Sequence, residues 1–114
     1  MYAHLLELTV KPDRKSELTG TIEIHILPMI RDFDGFLDLI PLEVETEPTK
    51  FYVMSLWHDK RDAERFRREH FSTVKMIYEP FLVSPIIIKL CYVDDRIPEM
   101  LTLRAIPARK VSCA

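Results

Sequence analysis

The chain has 114 residues, of which 47% are hydrophobic and 30% charged, and its net charge is −2 at pH 7. This length suits one domain with its own core, and the lack of a basic run gives no support for nucleic-acid binding. The sequence has no run of about 18 apolar residues and no charged start followed by an apolar run, so neither a membrane span nor a secretory signal is expected. Two cysteines, Cys91 and Cys113, make no disulfide framework, which predicts a reduced, cytoplasmic protein.

The first part of the chain predicts a strand followed by a helix. Residues 2–10 are mostly apolar and indicate strand one. Asp13 is a plausible helix cap. A helical stripe then follows from Lys15, and Pro28 is expected to kink or end this helix. The apolar positions of the stripe are Leu18, Ile22, Ile26, Met29 and Ile30.

The middle of the chain predicts a hairpin. Residues 36–44 indicate strand two, and Pro41 favours a sheet edge because proline cannot donate to a central ladder. Residues 45–50 form the connecting loop. Residues 51–57 are apolar at nearly every position, which predicts that strand three is covered on both faces.

A second helix and a fourth strand complete the pattern. Asp59 is the predicted helix cap, and Pro80 is expected to stop the helix. Residues 85–93 indicate an almost wholly apolar strand four, and residues 94–114 are a tail that could pack on a dimer partner. The inward stripe of the second helix comprises Ala63, Phe66, His70, Val74 and Ile77.

The element order β-α-β-β-α-β predicts an α+β, ferredoxin-like domain over residues 1–93. Its antiparallel four-stranded sheet would have the strand order four-one-three-two, with both helices on one face. Two helices cover only one face, whereas strands three and four show no polar alternation. A second copy of the sheet is the simplest cover for the other face, so we predict a homodimer.

The sequence around Trp57 resembles a known family. Residues 55–66, Ser-Leu-Trp-His-Asp-Lys-Arg-Asp-Ala-Glu-Arg-Phe, are similar to the strand, tryptophan, charged turn and helix of the antibiotic biosynthesis monooxygenase (ABM) domain. The resemblance covers roughly residues 1–93 and implies a dimeric α+β barrel with a pocket between sheet and helices. Members include cofactor-independent monooxygenases of polyketide or quinol aromatics, and haem-degrading enzymes.

The haem-degrading branch fits this chain poorly. Its members use a strand-one asparagine and a late-helix histidine, and the matching positions here are about Leu5 and Met76 or Ile77. The chain contains no asparagine at all. Haem degradation is therefore disfavoured, and no cofactor is expected. No metal site is predicted either, because the four histidines form no i, i+4 pair and no cluster with cysteine.

Five residues are candidates for a site. Trp57 could stack on a planar substrate, or it could be a core tryptophan. His70 could act as a general base, or it could be a buried, hydrogen-bonded histidine. Phe66, His25 and His4 are candidates for substrate binding, with the strand register deciding which way His4 points.

Two functions remain open at this point. The first is a cofactor-independent monooxygenase acting on a small aromatic, quinol or polyketide-like compound. The second is a non-catalytic dimeric module of the same fold that binds small molecules or serves a stress response. The polar residues that the monooxygenases place around the tryptophan have no residue-by-residue match in this chain, which keeps the second function open.

Overall fold

The fold is built on one antiparallel sheet, seen in a computed structural model that describes residues 1–94. The predicted tail therefore lies outside the described residues, apart from Asp94. The sheet order is β2-β3-β1-β4, which confirms the predicted order and places Pro41 on an edge strand. The four strands are β1 (Tyr2–Thr9), β2 (Phe36–Glu43), β3 (Lys50–Trp57) and β4 (Ile87–Tyr92).

The first helix, α1, has three consecutive parts. It is α-helical over Lys15–Thr21, π-helical over Ile22–Ile26 and α-helical again over Leu27–Ile30. The helix therefore continues past Pro28, where the sequence predicts a kink or an end. Proline removes one backbone donor and its ring crowds the carbonyl four residues earlier. The wider π turn lies immediately before it and changes the hydrogen-bond spacing at that point.

The start of α1 also differs from the prediction. Arg14, not Asp13, occupies the cap position, and it makes no side-chain cap bond. Instead the Nη2 atom of Arg14 lies 3.1 Å from the Glu17 carboxylate, and its guanidinium lies 4.6 Å from the centre of the Phe81 ring. The helix start is thus held by contacts of the arginine side chain rather than by an aspartate cap.

The second helix, α2, spans Lys60–Tyr78 and has the predicted cap. The Asp59 carboxylate accepts a hydrogen bond from the backbone N–H of Asp62 at 3.0 Å. Pro80 lies in the 3-10 turn Glu79–Phe81 that follows, so the helix stops where predicted. The buried row differs slightly from the predicted stripe: Ala63, Phe66, Val74 and Tyr78 are buried, whereas His70 and Ile77 are only half-buried.

The two faces of the sheet differ in cover. Alternate residues of β3 face the helices and are buried, with Val53 only 2% exposed. The intervening residues are half-buried on the other face, so the helices of one chain cover only one face of β3. The cover of the other face by a second copy stays a prediction. On this open face Leu5, Met54 and Ile40 are register partners and form an apolar row across three strands.

A tight turn connects α1 with the sheet and fixes the start of α2. Gly35 has a φ of 83°, a conformation that favours glycine. Its carbonyl accepts a hydrogen bond from the backbone N–H of His58 at 2.8 Å. The side chain of Asp62 fills the space where a Cβ atom would otherwise stand. The turn therefore anchors the end of β3, and with it Trp57.

Candidate functional site

A small cavity lies between the sheet and the helices. Its volume is about 30 Å³, room for roughly one or two water molecules. Four strands and both helices contribute to its walls. Its apolar lining includes Leu6, Leu39, Val53, Phe71, Val74 and Ile88. The cavity lies where the family resemblance predicts a pocket, and it is mainly apolar.

Three polar side chains line this cavity without a hydrogen-bond partner among residues 1–94. The unpaired atoms are Nε2 of His4, Nε of Arg67 and the hydroxyl oxygen of Tyr78. His4 is 5% exposed and Tyr78 is fully buried. A buried polar group left without a partner costs about 1–3 kcal/mol. Three such groups around one cavity are therefore a costly arrangement that a bound ligand or water would relieve.

The surroundings keep His4 uncharged at neutral pH. Burial lowers the pKa of His4 from 6.5 to about 4, and the positive charge of Arg67 adds to this effect. The carboxylate of Glu64 acts on the His4 pKa in the opposite direction. Burial also raises the pKa of the Tyr78 hydroxyl well above its ordinary value. At pH 7 the cavity therefore presents one guanidinium cation and two neutral groups.

The polar groups are spread along the length of the cavity. The α2 helix starts beside the beginning of β1, where the Nζ atom of Lys60 lies 3.2 Å from the hydroxyl of Tyr92 in the neighbouring strand. Tyr78, the last residue of α2, comes eleven positions after Arg67, which corresponds to about 16 Å of helix rise. His4 and Arg67 therefore lie toward one end of the cavity and Tyr78 toward the other.

Trp57 lies behind the cavity wall and has no exposed surface. Its indole N–H donates to the Ser55 hydroxyl at 3.0 Å. Its ring centre lies 5.3 Å from that of Phe66 and 6.2 Å from that of His4. Ser55, Phe66 and His4 all line the cavity, so Trp57 supports three cavity residues from behind.

The remaining sequence candidates lie in different places. Phe66 and His4 line the cavity, as their assignment to substrate binding requires. His70 is half-buried and packs against Phe66 and Phe33, with ring centres 5.1 and 5.5 Å away, and it is not one of the lining residues. His25 is exposed on α1. The structure thus brings together Trp57, Phe66 and His4, whereas His70 contacts Phe66 but does not line the cavity.

Sequence reasoning missed Arg67 and Tyr78. Both lie on one face of α2 with Phe71 and Val74, at steps of four, three and four residues. That spacing is itself a helical stripe and could have identified them. Leu5, the position compared above with the strand-one asparagine of the haem-degrading enzymes, lies on the open face of the sheet and does not line the cavity. The β1 residues that line the cavity are His4 and Leu6.

Within residues 1–94 no group of three or more His, Cys, Asp or Glu side chains is placed to hold a metal ion. No helix in the described part of the chain is long and apolar enough to cross a membrane.

The fold and the cavity define a ferredoxin-like α+β domain of the ABM type. The family profile of antibiotic biosynthesis monooxygenases matches residues 1–74, which is well over half of the chain. The chain therefore belongs to the antibiotic biosynthesis monooxygenase family, as the sequence around Trp57 predicts. A comparison with curated proteins gives no match.

Solved structures agree with this assignment at the level of the fold. A candidate antibiotic biosynthesis monooxygenase from Nitrosomonas europaea is 18% identical, with 82% of this chain and 99% of that chain covered and a TM-score of 0.67. A similar candidate from Deinococcus radiodurans is 16% identical, with coverages of 85% and 96% and a TM-score of 0.70. A conserved protein from Methanosarcina mazei is 15% identical, with coverages of 79% and 89% and a TM-score of 0.68. These likenesses show the fold alone.

Proposed function

We propose that this protein is a cofactor-independent monooxygenase of a small aromatic, quinol or polyketide-like compound. The observation that carries the proposal is the apolar cavity whose lining includes His4, Arg67 and Tyr78, each with a buried polar atom that has no hydrogen-bond partner among residues 1–94. An apolar pocket with a few convergent polar groups is the usual form of a small-molecule site. Membership of the ABM family supports this reading.

The proposed reaction needs no external reductant. A hydroquinone and one O₂ give a hydroxyquinone and one water: a ring C–H becomes C–OH, the two ring hydroxyls become carbonyls, and the O–O bond breaks. All four electrons that reduce O₂ come from the substrate. The protein has to help remove a hydroxyl proton, hold the resulting anion and exclude water. Electron-rich phenolates and enolates react with O₂ more readily than their neutral forms, which is why the proton transfer matters.

His4 is the proposed base and Arg67 the proposed holder of the anion. The free imidazole of His4 is a weak base because burial and the Arg67 charge lower its pKa to about 4. A substrate oxyanion beside Arg67 would offset that charge and make His4 more basic. Trp57 is the residue proposed to orient the substrate ring, and it acts through Phe66 and Ser55, which it contacts. His70 is the alternative base. His25, which is exposed, is the weakest of the original candidates.

The proposal includes a homodimer that covers the open face of the sheet. The apolar row Leu5, Met54 and Ile40 crosses the middle of that face. A charge in this row should weaken association, because it would be buried between two sheets. We expect Met54→Asp to lower the dimer fraction in sedimentation equilibrium, whereas Met76→Asp, at a methionine 71% exposed on α2, should not. A wild-type protein that stays a folded monomer at micromolar concentration would refute the dimer.

One observation favours the second candidate, a non-catalytic dimeric module that binds small molecules. Trp57 is fully buried and its polar atom is already bonded to Ser55, so it offers no polar contact to a substrate. The cavity of about 30 Å³ is smaller than an aromatic ring, which hinders a substrate and a non-reacting ligand alike. Substrate entry therefore requires side chains such as Phe71 to move. Binding without turnover would be compatible with this geometry.

A reduced, cytoplasmic setting is likewise a proposal, and it rests on the cysteine content of the sequence.

Oxygen consumption separates the two candidates. We expect enzyme-dependent O₂ uptake with some member of a panel of hydroquinones and anthrones, with one O₂ consumed per product. His4→Gln and Arg67→Met should reduce the rate, whereas Arg68→Met, at the exposed neighbouring position, should not. Ligand binding without O₂ uptake across the panel would reject the monooxygenase and leave the binding module.

A further inference from the structure

The polar groups of the cavity are all suited to an oxygen acceptor. The Arg67 Nε–H and the Tyr78 hydroxyl can each donate, and the imidazole of His4 offers Nε2 as a donor or an acceptor. No acidic side chain is among the lining residues. Glu64, the carboxylate that acts on His4, lies 3.7 Å from Lys60 on the surface of α2. The cavity therefore has a positive charge with no internal counterion.

Arg67 differs in this respect from the arginine two positions earlier in α2. Arg65 lies 3.3 Å from the Asp34 carboxylate and also near Glu69. No carboxylate of residues 1–94 lies within salt-bridge distance of Arg67, and its Nε is buried. Arg67 as a whole is half-buried, and its buried Nε–H lacks the acceptor that a desolvated, charged donor needs. Such an unpaired guanidinium is suited to hold an oxyanion from outside the chain.

We infer that the cavity, once side chains such as Phe71 move to admit a ring, binds an elongated, planar organic monoanion, with its oxyanion at Arg67 and His4 and a second oxygen acceptor at the Tyr78 hydroxyl. The middle of the ligand contacts apolar side chains, of which Leu6, Phe71 and Val74 line the stretch between the two polar ends. The inference rests on this cavity being the substrate site of the proposed function. It adds the ionic form of the ligand and its orientation. A phenolate and a carboxylate share the required chemistry.

Anaerobic binding measurements test the inference without turnover. The probes are 4-nitrophenolate, which has an acceptor at each end, benzoate, which has acceptors at one end only and also tests the carboxylate arm, and 4-nitroanisole, which carries no charge. The wild type should bind 4-nitrophenolate most tightly and the neutral ether most weakly. Titrations at a fixed pH above the probe's pKa keep the anion dominant, so the ionisation of His4 does not enter the comparison.

The variants test which residue contacts each end of the ligand. Arg67→Met should weaken 4-nitrophenolate binding about 10–100-fold and leave 4-nitroanisole nearly unchanged. Tyr78→Phe should weaken 4-nitrophenolate about 2–10-fold and leave benzoate unchanged. Arg68→Met is the matched control, because Arg68 is exposed on the same helix, and it should bind like the wild type.

Thermal stability distinguishes a binding role from a structural one. Arg67→Met should keep or raise the Tm of the ligand-free protein, because it removes an unpaired buried polar group. Arg67→Lys should retain part of the anion preference. Equal affinity of wild type and Arg67→Met for 4-nitrophenolate, or tighter binding of the neutral ether, would overturn the inference. Anion binding that depends on Arg67 without O₂ uptake would uphold it while rejecting the monooxygenase.

Discussion

The buried histidine of β1 should make the protein sensitive to mild acid. The pKa of His4 is about 4 in the folded protein against 6.5 as its ordinary value. Between these pH values the unfolded chain binds the proton and the folded protein does not. Stability is therefore complete above pH 6.5 and is lost as the pH falls toward 4. The full change in the pKa of His4, from 6.5 to about 4, corresponds to about 3 kcal/mol of stability, and the part lost between pH 7 and pH 5 is about 2 kcal/mol.

Urea unfolding at pH 7 and pH 5 measures this loss. We expect the free energy of unfolding of the wild type to fall by about 2 kcal/mol more than that of His4→Leu, which has no group to titrate there. The difference between the two proteins removes the contribution of carboxylates, including Glu64 beside the cavity. All samples need one protein concentration, because association with a second copy would add to the apparent stability.

A matched histidine variant tests whether the effect belongs to the cavity. His25→Leu makes the same substitution at an exposed position of α1 and should follow the wild-type pH profile. Equal losses of stability in the wild type and His4→Leu would refute the reasoning, because His4 would then be as accessible to protons in the folded protein as in the unfolded chain.

Four other perturbations have defined outcomes. Gly35→Ala should lower the free energy of unfolding by about 2 kcal/mol or more, from the positive φ and the contact with Asp62. By contrast, Gly20→Ala, which meets nothing within 4 Å in a helix, should raise it by about 0.5–1 kcal/mol; similar Tm changes in the two variants would contradict this. Trp57→Phe should destabilise by about 1–3 kcal/mol through a cavity and a lost hydrogen bond, and an unchanged Tm with weaker ligand binding would show a direct contact instead. Titration with haemin should give no sharp Soret band of a histidine-ligated complex, since the late-helix positions Met76 and Ile77 carry no histidine and the chain contains no asparagine.

Much of the fold could be predicted because its signals are local. Strand patterns, the Asp59 cap and the stop at Pro80 each depend on a few neighbouring residues, and the strand order follows from the element order. The effect of Pro28 on α1 is harder to predict, because it depends on whether the helical turn before the proline can widen. The burial of the open sheet face depends on a partner, so the structure of one chain does not show whether β3 is covered on both faces.

The site was only partly predictable, because it depends on how α2 is rotated against the sheet. The apolar stripe could be drawn through His70 and Ile77 or through Arg67 and Tyr78, and these choices differ by a fraction of a turn. Packing favours the second, with Tyr78 fully buried. An arginine in an apolar row is also easily assigned to solvent when only the sequence is considered. His4 was a candidate from the start, but its direction required the register of β1.

The π turn of α1 limits how the length of this helix can change. Leu18, Ile22, Ile26 and Ile30 are all buried and are spaced four residues apart. In a regular α-helix each step of four residues turns about 40° beyond a full circle, so a row of four such residues would drift around the axis. The wider turn rotates less per residue and brings the row back into line. Deleting one residue from Ile22–Ile26 would restore a regular helix but displace one half of the row by about 100°. Homologues that lack this extra residue should therefore carry their inward residues at mixed three- and four-residue spacing.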